Sequence, residues 1–339
     1  MAMPRRLRSA EQYTVGWIAP LYYERAAAEI LLDDVHDTPE HFEQRSSDAN
    51  AYTWGQMGEH NIVIASLPAG RGDLSAATET ASDLVNSLPH IRIGLLVGIG
   101  AGVPGQSDVR LGDIVVSYPV GTSNGVVQYD WGKATVDKEE IWVRKGSLNA
   151  PPAVLLTALS KTQTDHVVHG STVPEILRQG RRKLPPSQRV EWEHPGAASD
   201  RLFLPTYDHQ DDQADSCDAC DRSGEIGRPL RRSADPEIHY GTIASGNKVV
   251  KDPETRANIA KIAGKSCLCI EMEAAGLMQK FPCLVIRGIC DYADSHKNDR
   301  WHRYAAAAAA AYAKELLSHV PVRQLRVSPR LLQTMDSSK

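Results

Sequence analysis

Between Cys269 and Asp294 the chain concentrates residues that could do chemistry. Glu271 and Glu273 flank Met272, Arg287 interrupts the apolar run Cys283 to Ile289, and Asp291 stands at the exit of that run. Two closely spaced carboxylates can hold hydroxyl groups, and an acid at a strand exit can deliver a proton. A guanidinium inside an apolar strand needs an anionic partner. The pattern predicts a helix start at Glu271 to Gly276, followed by a buried strand. Ligands of α/β folds bind at the carboxyl ends of strands, where Asp291 would lie. A helix-start role for Glu273, a turn or N-cap role for Asp291 and a core role for Met272 are the structural alternatives.

Other candidates lie far away in sequence. Glu24 falls where the apolar run Val15 to Ala19 gives way to a helical run, so it could be a helix-start acid or a functional one. Gly98, Ile99, Gly100 and Gly102 follow another apolar run and predict a glycine loop that lets backbone approach a ligand. The spacing is not that of a dinucleotide fingerprint, and no P-loop lysine follows. His296, Lys297 and Arg300 come just after Asp291 and could meet phosphate groups or form a solvated helix start. Cys217 and Cys220 form a CxxC in a polar segment, with His209, His194 and His239 as candidate partners for zinc. A solvent-exposed loop is the alternative there.

These residues need elements to position them. Strand patterns fall at Val15 to Ala19, Tyr52 to Gly55, Asn61 to Leu67, Ile93 to Val97, Leu111 to Ser117, Gly125 to Tyr129 and His239 to Asn247. Helix patterns fall at Arg25 to Leu32, Asp73 to Leu88, Ala153 to Lys161, Pro253 to Ala263 and the alanine-rich Arg303 to Leu317. The alternation predicts one α/β domain over residues 13–318, a central mixed twisted sheet flanked by helices in three layers. Residues 1–12 read as a flexible leader, about 180–238 as an irregular insertion, and 319–339 as a tail. No internal repeat is visible.

Composition narrows the classes. A chain of 339 residues with 42% hydrophobic residues can build a sizeable core. A net charge of −4 gives no reason to expect nucleic acid or an anionic membrane as partner. Neither a signal-peptide pattern nor a run of about 20 apolar residues is present, so a soluble cytoplasmic protein is expected. Of six cysteines, four sit in apolar surroundings where a thiol behaves as a small hydrophobe.

In three blocks, Gly16 to Asp33, Val97 to Ser117 and Gly241 to Tyr312, the chain resembles the nucleoside phosphorylase and nucleosidase superfamily. In particular it is similar to a fungal branch often fused to NACHT or ankyrin regions. The resemblance implies that Glu273 holds the ribose hydroxyls, that Met272 packs on the sugar, and that Asp291 protonates the purine. It implies that Arg287 supports the nucleophile and that the segment Ser245, Asn247, Val249 and Val250 borders the base. Many adenine-specific relatives carry Asp where this chain has Asn247, which leaves the base open.

The nucleophile separates hydrolysis from phosphorolysis. Family phosphorylases carry a Gly-Asp-Pro turn after the first strand, whereas this chain has Ala19-Pro20-Leu21-Tyr22-Tyr23-Glu24. Glu24 matches the glutamate that activates water in the nucleosidases. A carboxylate ~4 Å from a phosphate charge costs about 4 kcal/mol per charge pair at an effective dielectric near 20. The expectation is a purine nucleosidase that needs no catalytic cofactor. A phosphate-dependent phosphorylase using Arg25, Arg71 or Arg110 is one alternative, and a non-catalytic nucleoside sensor is the other. If His296, Lys297 and Arg300 meet phosphates, the substrate would be a nucleotide such as ATP. A small-molecule purine is the expected partner, and the resemblance implies a homo-oligomer.

Overall fold

The computed structural model describes residues 4–105, 107–134, 142–144, 146–209 and 216–336. Short apolar runs form the strands β1 (Arg5–Arg6), β2 (Val15–Ile18), β3 (Asp34–Asp37), β4 (Thr53–Met57), β5 (His60–Ala65), β6 (Ile93–Gly102) and β7 (Ile114–Ser117). They continue with β8 (Val126–Gln128), β9 (Gly132–Ala134), β10 (Trp142–Arg144), β11 (Ile238–Ser245), β12 (Cys267–Glu271) and β13 (Cys283–Asp291). The main helices are α1 (Tyr22–Ile30), α2 (Leu74–Ser87), α3 (Ala153–His169), α4 (Val173–Lys183), α5 (Pro253–Ala263), α6 (Ala274–Leu277) and α7 (His302–Ser318). Two short ones, α8 (Val322–Val327) and α9 (Leu331–Asp336), follow.

The mixed sheet runs β1-β3-β4-β5-β2-β6-β12-β11-β7-β13, with β8 beside β11. Because β13 also pairs with β6, the second half closes on itself as a ring of β6, β12, β11, β7 and β13. The first half stays open as a twisted blade. Strand side chains alternate between faces. Accordingly Trp17, Leu95 and Val97 pack with α1, α3 and α7 in one core. Ile18, Leu96 and Val285 pack with α2 and α6 in another. These are the two outer layers of the expected three-layer α/β fold.

Alanine explains how close α7 can come. Ala305, Ala308, Ala309 and Ala310 are fully buried, and a Cβ on Gly288 would lie 1.9 Å from the carbonyl oxygen of Ala305. A larger residue at either place would push the helix off β13, the strand that carries Arg287 and Asp291.

Several expectations differ from the structure. The glycine stretch from Gly98 to Gly102 is strand, not loop: Gly98 pairs with Arg287, Gly100 with Ile289 and Gly102 with Cys269. Glycine there makes room, since a Cβ on Gly98 would lie 2.4 Å from Glu24 Oε1 and one on Gly100 2.5 Å from Cys269 Sγ. Cys267 to Glu271 is likewise a strand, so Glu271 ends β12 and Glu273 precedes α6. Arg5 and Arg6 pair with β3, and Leu7 is buried, so the supposed leader carries an edge strand. In the supposed tail, Leu325 and Leu331 are buried and the Leu331 amide donates to the Ile91 carbonyl at 2.9 Å. Among the described residues no helix is long and apolar enough to cross a membrane.

Candidate active site

The ends of β2, β6, β12 and β13 open into one cleft of about 650 Å³ including its mouth. It is lined by Glu24, Ile99, Gly100, Val249, Val250, Met272, Glu273, Arg287, Asp291 and Lys297, with Glu271 at its wall. Residues from the two ends of the chain therefore meet. Gly98 stands behind the wall, where its missing side chain admits the Glu24 carboxyl and the Arg287 guanidinium.

Glu24 is buried at the first turn of α1. Its Oε2 accepts the Leu21 amide at 2.6 Å, and its Oε1 accepts the Ile99 amide at 2.7 Å. Burial pushes its carboxyl up to about 7, against the pull of Arg287 and of the two amide bonds. A carboxyl that titrates near neutral pH can take a proton from water.

Arg287 is 1% exposed and is held by carboxylates on both sides. Its Nη2 donates to Glu271 Oε2 and, at 3.0 Å, to Glu273 Oε2. Its Nη1 donates to the Ile99 carbonyl at 3.2 Å. Glu271 also accepts the amides of Glu273 at 3.1 Å and Ala274 at 3.0 Å, which turns the chain from β12 into α6. Burial pushes Glu273 up to about 8, opposed by Arg287 and reinforced by Glu271 and Glu24. The role of Glu271 as counter-ion was not anticipated. A buried arginine in the sequence signalled that such a partner had to exist.

Asp291 sits on the opposite wall, buried, where β13 ends. Its Oδ1 accepts the Ala293 amide at 2.8 Å, and its Oδ2 lies 3.0 Å from Lys297 Nζ and 3.2 Å from Cys290 Sγ. Ala293 has φ of 52°, a left-handed conformation unusual for a residue with a Cβ. That bend folds the segment back so that Lys297 faces Asp291. Asp294 is turned away toward Arg256 at 3.6 Å, accepts the His296 amide and does not line the cleft.

Some expected contacts are not made. Ser245 is buried and its Oγ accepts the Ala275 amide at 2.8 Å, fixing α6. Asn247 is exposed, outside the cleft lining, and its amide donates to Asp130 at 2.7 Å. Neither borders the cleft as Val249 and Val250 do. The three cations after Asp291 are also occupied. Lys297 pairs with Asp291, and Arg300 pairs with Asp218 at 3.0 Å. His296 is stacked on Phe203 at 3.7 Å, and burial lowers its imidazole to about 4, so it carries no charge at neutral pH. Arg25 is engaged by Glu29 and Thr53, Arg71 by Asp73 and Glu79, and Arg110 by Asp108.

Two groups of potential metal ligands occur among the described residues. Cys290, Asp291 and His302 form one, but the Lys297 ammonium already neutralises Asp291, and burial with the Asp291 charge drives the Cys290 thiol far up. His209, Cys217 and Cys220 form the other, outside the cleft. His194 and His239 are excluded from it: His194 accepts the Gly196 amide and packs on Trp301, and His239 pairs with Asp113 at 2.9 Å.

This architecture is that of the nucleoside phosphorylase and nucleosidase fold. Futalosine hydrolase of Helicobacter pylori matches with a TM-score of 0.56 at 15% identity, over 91% of this chain and 99% of that one. The methylthioadenosine/S-adenosylhomocysteine nucleosidase of Neisseria meningitidis, solved with methylthio-immucillin-A, matches at 0.52 and 16% over 90% and 98%.

The chain is also similar in sequence to several described proteins. A nucleotide-binding leucine-rich repeat-like protein of Hyaloscypha variabilis is 40% identical over 96% of this chain, which spans 31% of that protein's length. The ATP nucleosidase Cap17 of Escherichia coli is 38% identical over 91 residues, 25% of this chain and 18% of Cap17. A methylthioadenosine/S-adenosylhomocysteine nucleosidase of Mycobacterium tuberculosis is 26% identical over 79% of this chain and 84% of its own. No family model matches the chain.

Proposed function

We propose that the chain hydrolyses the N-glycosidic bond of a purine nucleoside or nucleotide, releasing the base and the ribose product. The observation that carries this reading is Glu24. Its carboxyl is buried beside Arg287, titrates near neutral pH and faces the cleft from the position where a nucleophile would stand. Arg287 Nη2 is already shared between Glu271 and Glu273, and Nη1 goes to the Ile99 carbonyl, so the guanidinium charge is met by carboxylates before any anion arrives. A phosphate dianion would meet three carboxyl groups there, and water avoids that repulsion.

In this mechanism Glu24 takes a proton from the attacking water. Glu273 orients the sugar hydroxyls, Met272 covers the sugar, and the carboxyl groups favour the positive charge that develops on the ribose. Asp291 passes a proton to the departing base. The Lys297 ammonium stands 3.0 Å from Asp291 Oδ2, so the two groups form a pair through which a proton can reach the base. Breaking the glycosidic bond sends its electron pair to the base, which takes a proton from the pair. Water loses one proton to Glu24 and gives its oxygen to the anomeric carbon.

A nucleotide substrate is favoured by the 91-residue likeness to an ATP nucleosidase. Lys248, which is exposed and lines the cleft mouth, could meet phosphates in place of the engaged cations. The mouth also exposes Leu21 and Val249, which supports a second copy covering it. The test is incubation with adenosine, inosine, guanosine, AMP and ATP, with and without phosphate. Free base and ribose product in the absence of phosphate is the expected result. Strict phosphate dependence would move the chain to the phosphorylases, and tight binding of a purine without turnover would make it a sensor.

A further inference from the structure

We infer that His209, Cys217 and Cys220 bind one zinc ion that clasps the insertion to the segment carrying Lys297. The ligand atoms of these three residues lie within 4.8 Å of one another. Donors around one tetrahedral ion stand about 3.5–3.8 Å apart, since Zn–S is about 2.3 Å and Zn–N about 2.0–2.1 Å, so small side-chain adjustments would close these three around an ion. The two cysteines are free thiols, not a disulfide.

The surroundings suit a metal. The Cys220 amide donates to the Cys217 carbonyl at 3.1 Å, closing the CxxC turn so that both sulfurs point to one side. The Arg201 guanidinium donates to the carbonyls of both Cys217 and Cys220, which pins that turn from behind. His209 Nε2 faces the Ser216 carbonyl at 3.3 Å, the kind of outer hydrogen bond that fixes the ring of a ligating histidine. Asn298 Nδ2 stands 3.7 Å from Cys217 Sγ and can support a thiolate.

A second observation lies next to the cluster. His296 is more than nine-tenths buried, its ring is 5.3 Å from that of His209, and among the described residues neither of its nitrogens has a hydrogen-bond partner, the Asp294 carboxylate lying 3.8 Å from Nδ1. Leaving two buried polar atoms unpaired is costly. An ion beside it would supply a partner for a nitrogen lone pair. His296 lies outside the 4.8 Å group, so it is the candidate for the fourth position, with water as the alternative.

The clasp would act on the cleft through short connections. The His209 amide donates to Ser295 Oγ at 3.0 Å, and Asn298 Nδ2 also donates to the His296 carbonyl at 3.1 Å. Lys297 lies between these anchors and reaches Asp291. The ion is thus a positioning element for the loop and takes no part in the reaction.

Metal content tests this independently of any nucleosidase activity. The whole chain, purified after growth with zinc and dialysed, should carry about one zinc per chain by mass spectrometry of the metals. Cys217→Ser/Cys220→Ser should carry less than about a tenth of that. Cobalt titration of the metal-free wild-type chain, which does not rely on a variant folding, should give thiolate-to-cobalt charge-transfer absorption that saturates at one equivalent. His296→Ala should weaken cobalt affinity about 10- to 100-fold if its ring fills the fourth position, and leave it unchanged if water does. Absence of zinc and of the cobalt band, retention of zinc by the double variant, or a Cys217–Cys220 disulfide in the native protein would each overturn the assignment.

Discussion

Glu24, Glu271, Glu273 and Arg287 stand on strand ends and first helical turns, tied to each other and to the amides of Leu21, Ile99 and Ala274. Asp291 and Lys297 face each other across a turn that leaves β13 through a strained alanine and leans on the insertion. The first wall is therefore positioned by the sheet and the second by a loop. Precision in the first comes from buried charge balance, which tolerates little change. Precision in the second comes from a chain reversal and its supports, which can be loosened by degrees.

The sharpest way to break the contrast is at the charge balance. Arg287→Met should leave the buried carboxyls without their cation and cost about 3–5 kcal/mol of stability, read from the denaturant midpoint. Turnover should vanish with it. A variant of wild-type stability would show that the wall does not depend on this ion pair. Asp291→Asn on the other wall should fold normally and still bind a purine, yet lose about 10²- to 10⁴-fold in kcat. Retained turnover would remove Asp291 from the chemistry.

Acidity separates the walls further. Because Glu24 must be ionised to take a proton and titrates near 7, kcat/KM should rise with pH through about 7. Glu271 raises Glu24, so Glu271→Gln should move that limb to lower pH. A limb that stays in place would assign it to another group. Lys297→Met should instead lower kcat by about tenfold. An unchanged kcat would show that Lys297 does not serve the second wall.

The two walls were also unequally legible in the sequence. The helix Pro253–Ala263 could be read to the residue because Asp252 caps one end and Gly264 the other. Glu24, Glu273, Arg287 and Asp291 stood out through residue type and through family resemblance, and the fold brings them to one cleft. Gly98 to Gly102 read as loop because glycine usually breaks strands, whereas here three neighbouring strands leave no space for side chains. Two arginines at the edge, β1, have no strand periodicity at all. The pairing of Lys297 with Asp291 is not legible in the sequence because it depends on the reversal at Ala293, which nothing in a local pattern announces. For Ser245 and Asn247 the resemblance to the family is the only ground for a place beside the base. Their backbone and hydroxyl hydrogen bonds instead serve α6 and Asp130.

That reversal offers the finest test of how the loop wall is held. Alanine in the left-handed region costs roughly 1 kcal/mol that glycine would not, so Ala293→Gly removes strain from the folded state. Glycine also gives the unfolded chain more freedom, which offsets part of the gain, so global stability should change by less than about 1 kcal/mol. The conformational effect should fall on Asp291. With the turn no longer confined by a Cβ, the Ala293 amide and Lys297 should hold the carboxylate less firmly, and kcat should drop a few-fold with KM unchanged. Restoring the confinement from the other side, by saturating the His209, Cys217 and Cys220 cluster with zinc, should recover part of the loss in this variant and add little to the wild-type chain. If zinc changes neither, the insertion does not steady the acid, and the strained turn alone sets its position.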